Sequence, residues 1–276
     1  LYLNSKFSLM NEIDVGVDFG ITNSDIAIKL DDSVSYKTLN SEKNIHLSLN
    51  NIIKDLQKNS VLKSICVTGG KHLDLPDNFD GLKVLKKNEI NCIGAGAKYL
   101  SGLDSDFLVL SCGSGTACVG YKNEISTHLG GSGLGGGTIR GLCKLAAQVD
   151  NPDEIDELSK KGSQIGDFVL KDVVSGPIGS LPEDSIAVHL GNLDMINKLE
   201  KEDICKSIIY LVATNIARLA ATTAIASNLD KVVVVGRSPN YFLYTKVLKK
   251  WIEYSGLEVI FLKEGEFATA IGALES

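Results

Sequence analysis

The sequence predicts an α/β protein whose β-sheets contain both parallel and antiparallel strands. Patterns typical of short buried strands alternate along the chain with helical patterns, and this alternation indicates an α/β fold. Two strand patterns, at 13–18 and 107–111, are each followed by a glycine-containing turn and a second strand, which indicates hairpins. Because hairpins pair antiparallel while strand–helix–strand connections pair parallel, we expect mixed sheets.

The composition indicates a folded chain and argues against several classes of partner. Of the 276 residues, 44% are hydrophobic and 22% are charged, which is sufficient for a large core. The net charge of −6 and the lack of a long basic run argue against nucleic acid or an anionic membrane as the main partner. No stretch approaches the roughly 20 apolar residues that span a bilayer, and the six cysteines show no zinc spacing. We therefore expect a reduced, cytoplasmic protein that binds neither nucleic acid nor membrane.

The first half of the chain opens with a hairpin. Ile13, Val15 and Val17 alternate with polar residues or glycine, as in a half-buried strand, and a turn at 20–23 leads into a second strand. The remaining predicted elements are a helix at 46–58, a strand at 64–67 that stops at Gly69-Gly70, and a helix at 89–100.

The second half repeats the hairpin and then becomes largely helical. A strand at 107–111, a turn at 113–116 and a returning strand at 117–121 precede a glycine cluster at 128–138 that runs into a helix. The later predicted elements are short helices and loops over 150–200, a long apolar helix at 203–227, a buried strand at 232–235, a helix at 241–254, a strand at 257–262 and a short helix at 267–274.

The two hairpins indicate an internal repeat and hence two similar lobes. The segments 18–24 (DFGITNS) and 111–117 (SCGSGTA) each place a polar residue at a strand end before a glycine turn that carries threonine. We expect a first lobe at 10–105 and a second at 106–276, with the two turns facing each other across a cleft. Residues 1–9 lack the apolar run of a signal peptide, and we expect them to be disordered or an upstream leader.

Three glycine-containing segments offer the backbone N–H donors that bind phosphate. They are Asp18-x-Gly20-x-Thr22 at a strand end, the turn from Gly113 to Thr116, and the stretch from Gly130 to Thr138 that leads into a helix N-terminus. Each alone is also compatible with an ordinary turn, whereas the three in this order favour a nucleoside triphosphate. The strand at 232–235 ends at Gly236, and this point is either an adenosine-binding edge or simply a core strand followed by a loop.

The chain resembles the type II pantothenate kinases of the actin/Hsp70/sugar-kinase superfamily from residue 13 almost to its end. The segment most specific to that family is GGSGLGGGTIRGL at 130–142. The other matching segments, in family order, are VGVDFGITNS (15–24), CVTGG (66–70), NEINCIGAGA (88–97), LSCGSGTACVGY (110–121), HLGNL (189–193), VVVVGRS (232–238) and GEFATAIGAL (265–274). The resemblance implies two actin-like (ribonuclease H-like) lobes with mixed β-sheets and an interlobe nucleotide cleft.

The same resemblance implies an enzyme that uses ATP and Mg²⁺ to phosphorylate the primary hydroxyl of pantothenate, the first step of coenzyme A biosynthesis, or a closely related alcohol. Glu89 occupies the place of the family's catalytic glutamate, a general base, although without the resemblance a solvated acid at a helix start is the favoured interpretation. Asp18 is the implied metal residue, which would orient Mg²⁺ through water. The residues implied in nucleotide binding are Gly20, Thr22, Gly113, Ser114, Gly115, Gly135, Gly136, Gly137, Gly236 and Arg237.

Three departures from the family pattern concern the phosphate surround and the substrate pocket. The first loop carries Ile21 and places Asp25 where the family has a lysine, so a cation beside the nucleotide is lost. Ser114, Ala117 and His128 are the expected substrate-binding residues, but the family commonly has serine at 117 and arginine at 128. A histidine cannot form the two-pronged contact of an arginine, and a lone histidine is often structural. The acceptor alcohol is therefore less firmly indicated than the kinase activity.

Two alternative functions stay open on the sequence. The opening loop also resembles that of ATPases of the activator/hydantoinase type, although activators usually hold an iron–sulfur cluster between subunits and the cysteines here are scattered. A nucleotide- or acyl-CoA-binding paralogue without kinase turnover is the non-enzyme alternative. The nearly uniform apolar composition of the long helix predicts a homodimer through residues 203–228, or else a central helix within one subunit. The sequence determines neither the acceptor nor feedback inhibition by acyl-CoA.

Overall fold

The computed structural model describes residues 11–276, and the expectation for residues 1–9 lies outside these described residues. The strands, in chain order, are β1 Asn11–Phe19, β2 Asn23–Leu30, β3 Ser33–Asn40, β4 Ser60–Thr68, β5 Asn78–Phe79, β6 Leu82–Lys86, β7 Phe107–Cys112, β8 Thr116–Lys122, β9 Ile125–Ser132, β10 Phe168–Val169, β11 Ile186–Val188, β12 Lys231–Val235 and β13 Glu258–Phe261. The helices are α1 Ile45–Leu56, α2 Glu89–Ser101, α3 Gly136–Ala147, α4 Pro152–Lys161, α5 Leu170–Val173, α6 Leu193–Ile196, α7 Lys201–Ala226, α8 Phe242–Tyr254 and α9 Ala268–Glu275.

The described residues divide into two compact units, each with its own sheet. The first unit contains residues 11–105, 121–127 and 262–276, and the second contains 106–120 and 128–261. This division differs from the predicted lobes at 121–127 and at the end of the chain. Residues 262–276 group with the first unit because helix α9 packs against α2 and against strand β1.

The sheet of the first unit has the strand order β3-β2-β1-β4-β6-β5. Strand β1 pairs antiparallel with β2 and parallel with β4, so the predicted mixed sheet is confirmed. Alternate side chains of β1 point to opposite faces. Val15 and Val17 belong to the core that also includes Leu49 and Ile52 of α1. Gly16 faces α9, where a Cβ atom on Gly16 would lie 2.1 Å from the carbonyl oxygen of Ala270.

Helices α2 and α9 cross with their backbones in direct contact. A Cβ atom on Gly96 of α2 would lie 1.7 Å from the carbonyl oxygen of Ala268, and one on Gly272 of α9 would lie 1.8 Å from the carbonyl oxygen of Cys92. No side chain fits at either position, so each helix requires its glycine. This crossing fixes the N-terminal half of α2 against the sheet of the first unit.

The sheet of the second unit repeats the order of the first. Its order is β13-β12-β7-β8-β9, which matches β6-β4-β1-β2-β3 strand for strand. In both sheets the central strand begins a hairpin and pairs parallel with the next strand along, as β7 does with β12. The internal repeat predicted from the two hairpins is therefore confirmed in the topology.

Helix α7 is the central helix of the second unit. By length and composition alone, α7 is apolar enough to cross a membrane. The expectation that no stretch of the sequence approaches the apolar length of a membrane span was therefore wrong, because it counted only uninterrupted apolar residues. Helices α3, α4 and α8 pack against α7, and its side chains at Val212, Ile216 and Ala220 are fully buried. Such burial is typical of the core helix of a folded domain.

Candidate active site

The carboxyl end of strand β1 carries Asp18, the first predicted site residue. The turn after it is fixed by Ser41, whose hydroxyl donates to the carbonyl oxygen of Gly20 at 2.7 Å and whose amide donates to that of Thr22 at 3.0 Å. Gly20 is needed here, since a Cβ atom would lie 2.7 Å from the carbonyl oxygen of Asn23. Ile21 points outward at the tip of the turn with 86% of its surface exposed.

The Asp18 carboxylate lies in an environment that disfavours its charge. Burial of the carboxylate, followed by the nearby charges of Glu89 and Asp25, raises the pKa of Asp18 from 3.8 to about 7. Although part of the residue reaches solvent, protein atoms surround the carboxylate closely enough for burial to be the largest cause. Asp25 lies directly opposite Asp18 on β2, and its carboxylate accepts a 2.8 Å hydrogen bond from the Thr38 hydroxyl.

Glu89 is the first residue of helix α2 and is exposed. Asn88 caps this helix, because its side-chain oxygen accepts a hydrogen bond from the amide of Asn91 at 3.2 Å. A glutamate in the first turn of a helix is favoured by the helix dipole. Because Glu89 contributes to the raised pKa of Asp18, the structure brings together the two residues that the sequence predicted as catalytic.

In the second unit, the two predicted glycine turns contact each other. The amides of Gly136 and Gly137 donate to the carbonyl oxygens of Gly113 and Ser114 at 2.9 and 3.0 Å. Gly135 is equally constrained, since a Cβ atom would lie 2.6 Å from the carbonyl oxygen of Ser114 and 2.8 Å from the Cα atom of Gly115. The glycines therefore let the backbones of the two turns pack directly against each other.

The glycine cluster is shorter as a loop than the sequence indicated. Strand β9 extends to Ser132, so Gly130 and Gly131 pair in the sheet, and only residues 133–135 form the loop before α3. The Thr116 hydroxyl closes this loop onto strand β8 by donating to the carbonyl oxygen of Leu134 at 2.8 Å. Glycines suit β9 because a Cβ atom on Gly131 would lie 2.7 Å from the carbonyl oxygen of Thr116.

The end of strand β12 joins the same two turns. Gly236 has a φ of 94°, and a Cβ atom on it would lie 2.4 Å from the carbonyl oxygen of Cys112. Ser238 is buried, and its hydroxyl donates to the carbonyl oxygen of Gly113 at 3.1 Å. The sequence missed Ser238 as a site residue, although a hydroxyl two residues after the glycine that ends a strand was the available signal. Arg237 lies between these two residues.

The three predicted substrate-binding residues lie on the β7–β8 turn and the two strands after it. Ser114 belongs to the turn, Ala117 is half-buried in β8, and His128 is exposed in β9. The carbonyl oxygen of Ser114 accepts from the amide of Gly137, as described above. Ala117 and His128 lie on neighbouring strands of the second unit's sheet.

A magnesium ion would fit a site that has Asp18 as a single carboxylate better than a site built from several protein ligands. Within residues 11–276 no group of three or more histidine, cysteine, aspartate or glutamate side chains could hold a metal ion. Mg²⁺ is usually held by one or two carboxylates together with substrate phosphates and water. The raised pKa of Asp18 shows that its negative charge is poorly compensated by the protein, and a cation would supply that compensation.

Comparison with protein families assigns the chain. The family model described as Fumble matches residues 103–276, which is more than half of the chain. The chain belongs to the Fumble family. This Fumble-family chain is 29% identical over 271 residues to a type II pantothenate kinase of Bacillus cereus, with 95% of this chain and 97% of that protein covered. It is 25% identical over 269 residues to a type II pantothenate kinase of Oceanobacillus iheyensis, at 95% and 98% coverage. The resemblance indicated by the motifs is therefore confirmed.

Solved structures show the fold of this Fumble-family chain. It is similar to component A of the (R)-2-hydroxyglutaryl-CoA dehydratase of Acidaminococcus fermentans, with a TM-score of 0.67, 17% identity and 95% of both chains covered. It is also similar to a ROK family glucokinase of Streptomyces griseus in complex with glucose and AMPPNP, with a TM-score of 0.59, 13% identity, and 95% of this chain and 97% of that one covered. At these identities the likeness shows the fold alone, which is that of actin-like ATPases and sugar kinases.

Proposed function

We propose that the chain is an ATP-dependent kinase that phosphorylates the primary hydroxyl of pantothenate, the first step of coenzyme A biosynthesis. The observation that carries this proposal is that Glu89 lies close enough to Asp18 to raise its pKa. An exposed carboxylate at a helix start lies near a second carboxylate whose charge the protein leaves poorly compensated. The curated relatives named as type II pantothenate kinases, which align with 95% of this chain, supply the substrate class.

The carboxylates of the first unit would carry the chemistry. Glu89 would accept the proton of the acceptor hydroxyl. The hydroxyl oxygen of the acceptor would then bond to the γ-phosphorus, while the bond from this phosphorus to the β,γ-bridging oxygen breaks and ADP leaves. Asp18 would orient the Mg²⁺ of MgATP through a water molecule, and this ion would neutralise charge on the transferring phosphoryl group. Gly20 and Thr22 would contribute the phosphate-facing backbone of the first unit.

The second unit would bind the nucleotide. The residues that would line the phosphates are those of the two turns, whose glycines let their backbones meet directly: Gly113, Ser114, Gly115, Gly135, Gly136 and Gly137. The N-terminus of α3 is electropositive and favours an anion there. Gly236 and Arg237 would flank the adenosine at the carboxyl end of β12, where α/β folds commonly bind ligands.

The acceptor pocket is the finer part of the proposal. Ser114, Ala117 and His128 are proposed to contact the acceptor. Since Ala117 and His128 replace the family's serine and arginine, a closely related alcohol is proposed alongside pantothenate. A histidine lacks the two-pronged donor geometry of an arginine, so the exposed His128 would hold a carboxylate substrate more weakly.

The cellular setting and the assembly are also proposals. The six cysteines are free and buried, which suits a reducing compartment such as the cytoplasm. A homodimer through helix 203–228 is supported by exposed apolar surface on α7, where Ile225 is 56% exposed. Neither nucleic acid nor membrane is a proposed partner, given the net charge of −6.

A panel of alcohols tests the function. Pantothenate, pantetheine, pantoate and an amino sugar are each incubated with MgATP, and the phosphorylated product is detected by mass spectrometry. Glu89→Gln should reduce product formation by about 10²-fold or more while nucleotide binding persists, because only the proton acceptor is lost. Glu154→Gln is the matched control, since Glu154 also lies exposed in the first turn of an asparagine-capped helix.

Three outcomes separate the candidates. Phosphorylated product that depends on Glu89 supports the kinase. A shift in melting temperature with ATP but no product from any alcohol supports the nucleotide-binding paralogue. The charge of Asp25 beside Asp18 favours this alternative, because it adds repulsion to the nucleotide. ATP hydrolysis without any acceptor supports an ATPase of the activator/hydantoinase type.

A further inference from the structure

The segment Thr68-Gly69-Gly70 follows strand β4 directly and has no role in the reaction as proposed above. Strand β4 pairs parallel with β1, and Thr68 lies opposite Asp18 in the register. Both Thr68 and Gly69 are buried. The segment therefore ends at the same edge of the sheet as the carboxylate proposed to orient Mg²⁺.

The Asp18 carboxylate occupies the space that a side chain at position 69 would need. A Cβ atom on Gly69 would lie 2.1 Å from Oδ1 of Asp18 and 3.1 Å from the backbone nitrogen and oxygen of Phe19. Gly69 also has a φ of 74°, which other residues adopt at a cost. Any other residue would displace either its own backbone or the Asp18 carboxylate.

His72 holds the Gly69 peptide in this position. The amide of His72 donates to the carbonyl oxygen of Gly69 at 3.1 Å, and Nδ1 of the same residue donates to the same oxygen at 2.9 Å. Because a carbonyl oxygen only accepts, Nδ1 carries the proton in this contact. His72 is buried, so water competes little for either bond.

Thr68 connects the same segment to the helix that begins with Glu89. Its hydroxyl donates to the carbonyl oxygen of Lys87 at 3.0 Å, and the amide of Lys87 donates to the carbonyl oxygen of Val67 at 2.8 Å. Lys87 lies two residues before Glu89, and Asn88 between them caps the helix. The end of β4 is thus bonded to the backbone that enters α2.

We propose that Thr68 and Gly69 are positioning residues that fix the Asp18 carboxylate relative to Glu89. Gly69 provides the space for the Asp18 carboxylate, and Thr68 anchors the start of the helix that carries Glu89. Neither residue is proposed to touch the substrate. The proposal rests on the proposed kinase function for its catalytic consequence, while the contacts themselves belong to the first unit alone.

Matched substitutions test the catalytic consequence. Thr68→Val removes the hydroxyl at nearly constant volume and should lower kcat at least about tenfold with the KM for ATP changed less than about twofold, because misplacement acts on the transition state. Thr68→Ser keeps the hydroxyl and should restore most of kcat. Equal losses of kcat in the valine and serine variants would overturn the role of Thr68.

Gly69→Ala is compared with Gly81→Ala. Gly81 lies in the same unit with a similar φ of 86°, but no atom lies within 4 Å of its Cβ position. Both substitutions strain the backbone, whereas only Gly69→Ala meets Asp18. Gly69→Ala should raise the MgCl₂ concentration for half-maximal rate at least about threefold, while Gly81→Ala should leave it unchanged. The same magnesium dependence in both variants would overturn the role of Gly69.

A double-mutant cycle on thermal unfolding tests the contact without any turnover. Gly69→Ala should lower the melting temperature markedly in the natural chain, and by half of that loss or less in an Asp18→Ala background, where Oδ1 is absent. Equal losses in both backgrounds overturn the positioning proposal alone. If the cycle shows this coupling but no alcohol is phosphorylated, the contact stands and the proposed function fails.

Discussion

Replacing Asp18 by asparagine should stabilise the fold at neutral pH, although it removes a group that the proposed reaction needs. The pKa of Asp18 is raised to about 7 in the folded chain, against 3.8 for an ordinary aspartate. Between pH 3.8 and about 7 the folded state binds more protons than the unfolded state. The contribution of Asp18 protonation to the free energy of unfolding is therefore fully present below pH 3.8. It is lost progressively as the pH rises through about 7. Asparagine is nearly isosteric and stays neutral throughout.

The size of the stabilisation by Asp18→Asn follows from the difference between the folded and unfolded pKa values of Asp18. A difference of roughly three pKa units corresponds to about 4 kcal/mol at 1.36 kcal/mol per unit, and the partial access of Asp18 to solvent reduces this to about 2–4 kcal/mol. The free energy of unfolding of Asp18→Asn minus that of the natural chain should therefore be small at pH 4. It should increase steadily and reach that range at pH 8.

Urea unfolding from pH 4 to pH 8, without nucleotide and with a chelator present, measures this difference directly. Asp104→Asn is the control. Asp104 is exposed in the same unit, and its hydrogen bond from Lys98 lowers its pKa, so this substitution should give no gain that increases with pH. A difference for Asp18→Asn that stays flat between pH 4 and pH 8 would refute the inference that burial and repulsion act on Asp18. The same variant should also lose most of its turnover, since stability and activity conflict at this residue.

Three further predictions concern the rest of the molecule. Gly272→Ala should lower the free energy of unfolding by about 2–4 kcal/mol in urea titrations, because its Cβ atom would meet the carbonyl oxygen of Cys92. Gly141 lies in open space on α3, so the control Gly141→Ala should raise the free energy of unfolding by about 0.5–1 kcal/mol. Gly236→Ala should abolish the thermal stabilisation by AMPPNP because it clashes with Cys112, while Gly256→Ala, with a similar φ of 79° and no neighbour within 4 Å, should keep it. Light scattering at micromolar concentration should give a dimer that Ile225→Asp disrupts and that Ile125→Asp, at another exposed isoleucine, leaves intact. A monomeric natural chain would contradict the proposed assembly.

The elements that the sequence predicted best are those whose own side chains define a buried face. Strand β1 alternates valine and isoleucine with polar residues, and β12 is a run of valines, so their patterns match their burial. Strand β3 was missed because it lies at the edge of its sheet and none of its residues is fully buried. Strand β9 was missed because its glycines pair through the backbone and give no periodic signal.

Prediction from side-chain patterns is limited in the same way, and more strongly, at the candidate site. Asp18 and the glycine turns could be singled out from the sequence because an acidic residue or a glycine at a predicted strand end is a recognisable signal, and Glu89 could be singled out at a predicted helix start. It could not show that Gly69 borders Asp18, because a glycine in a sequence does not reveal which atom occupies its missing side chain. The placement of α9 in the first unit was equally hidden, since it depends on glycines 176 residues apart in the chain, Gly96 and Gly272.

Asp25 gives the structural meaning of the departure from the family pattern. It lies opposite Asp18 on β2, so the two side chains share one face of the sheet, and Ala27 on that same face packs against α9. A lysine at position 25 would neutralise Asp18 from within the protein. With an aspartate there, position 25 instead adds negative charge beside Asp18, and after burial and Glu89 it is a further cause of the raised pKa of Asp18. Under the proposed function, the substitution would therefore make this end of the sheet more dependent on a metal ion, and it leaves Glu89 and the glycine turns unchanged.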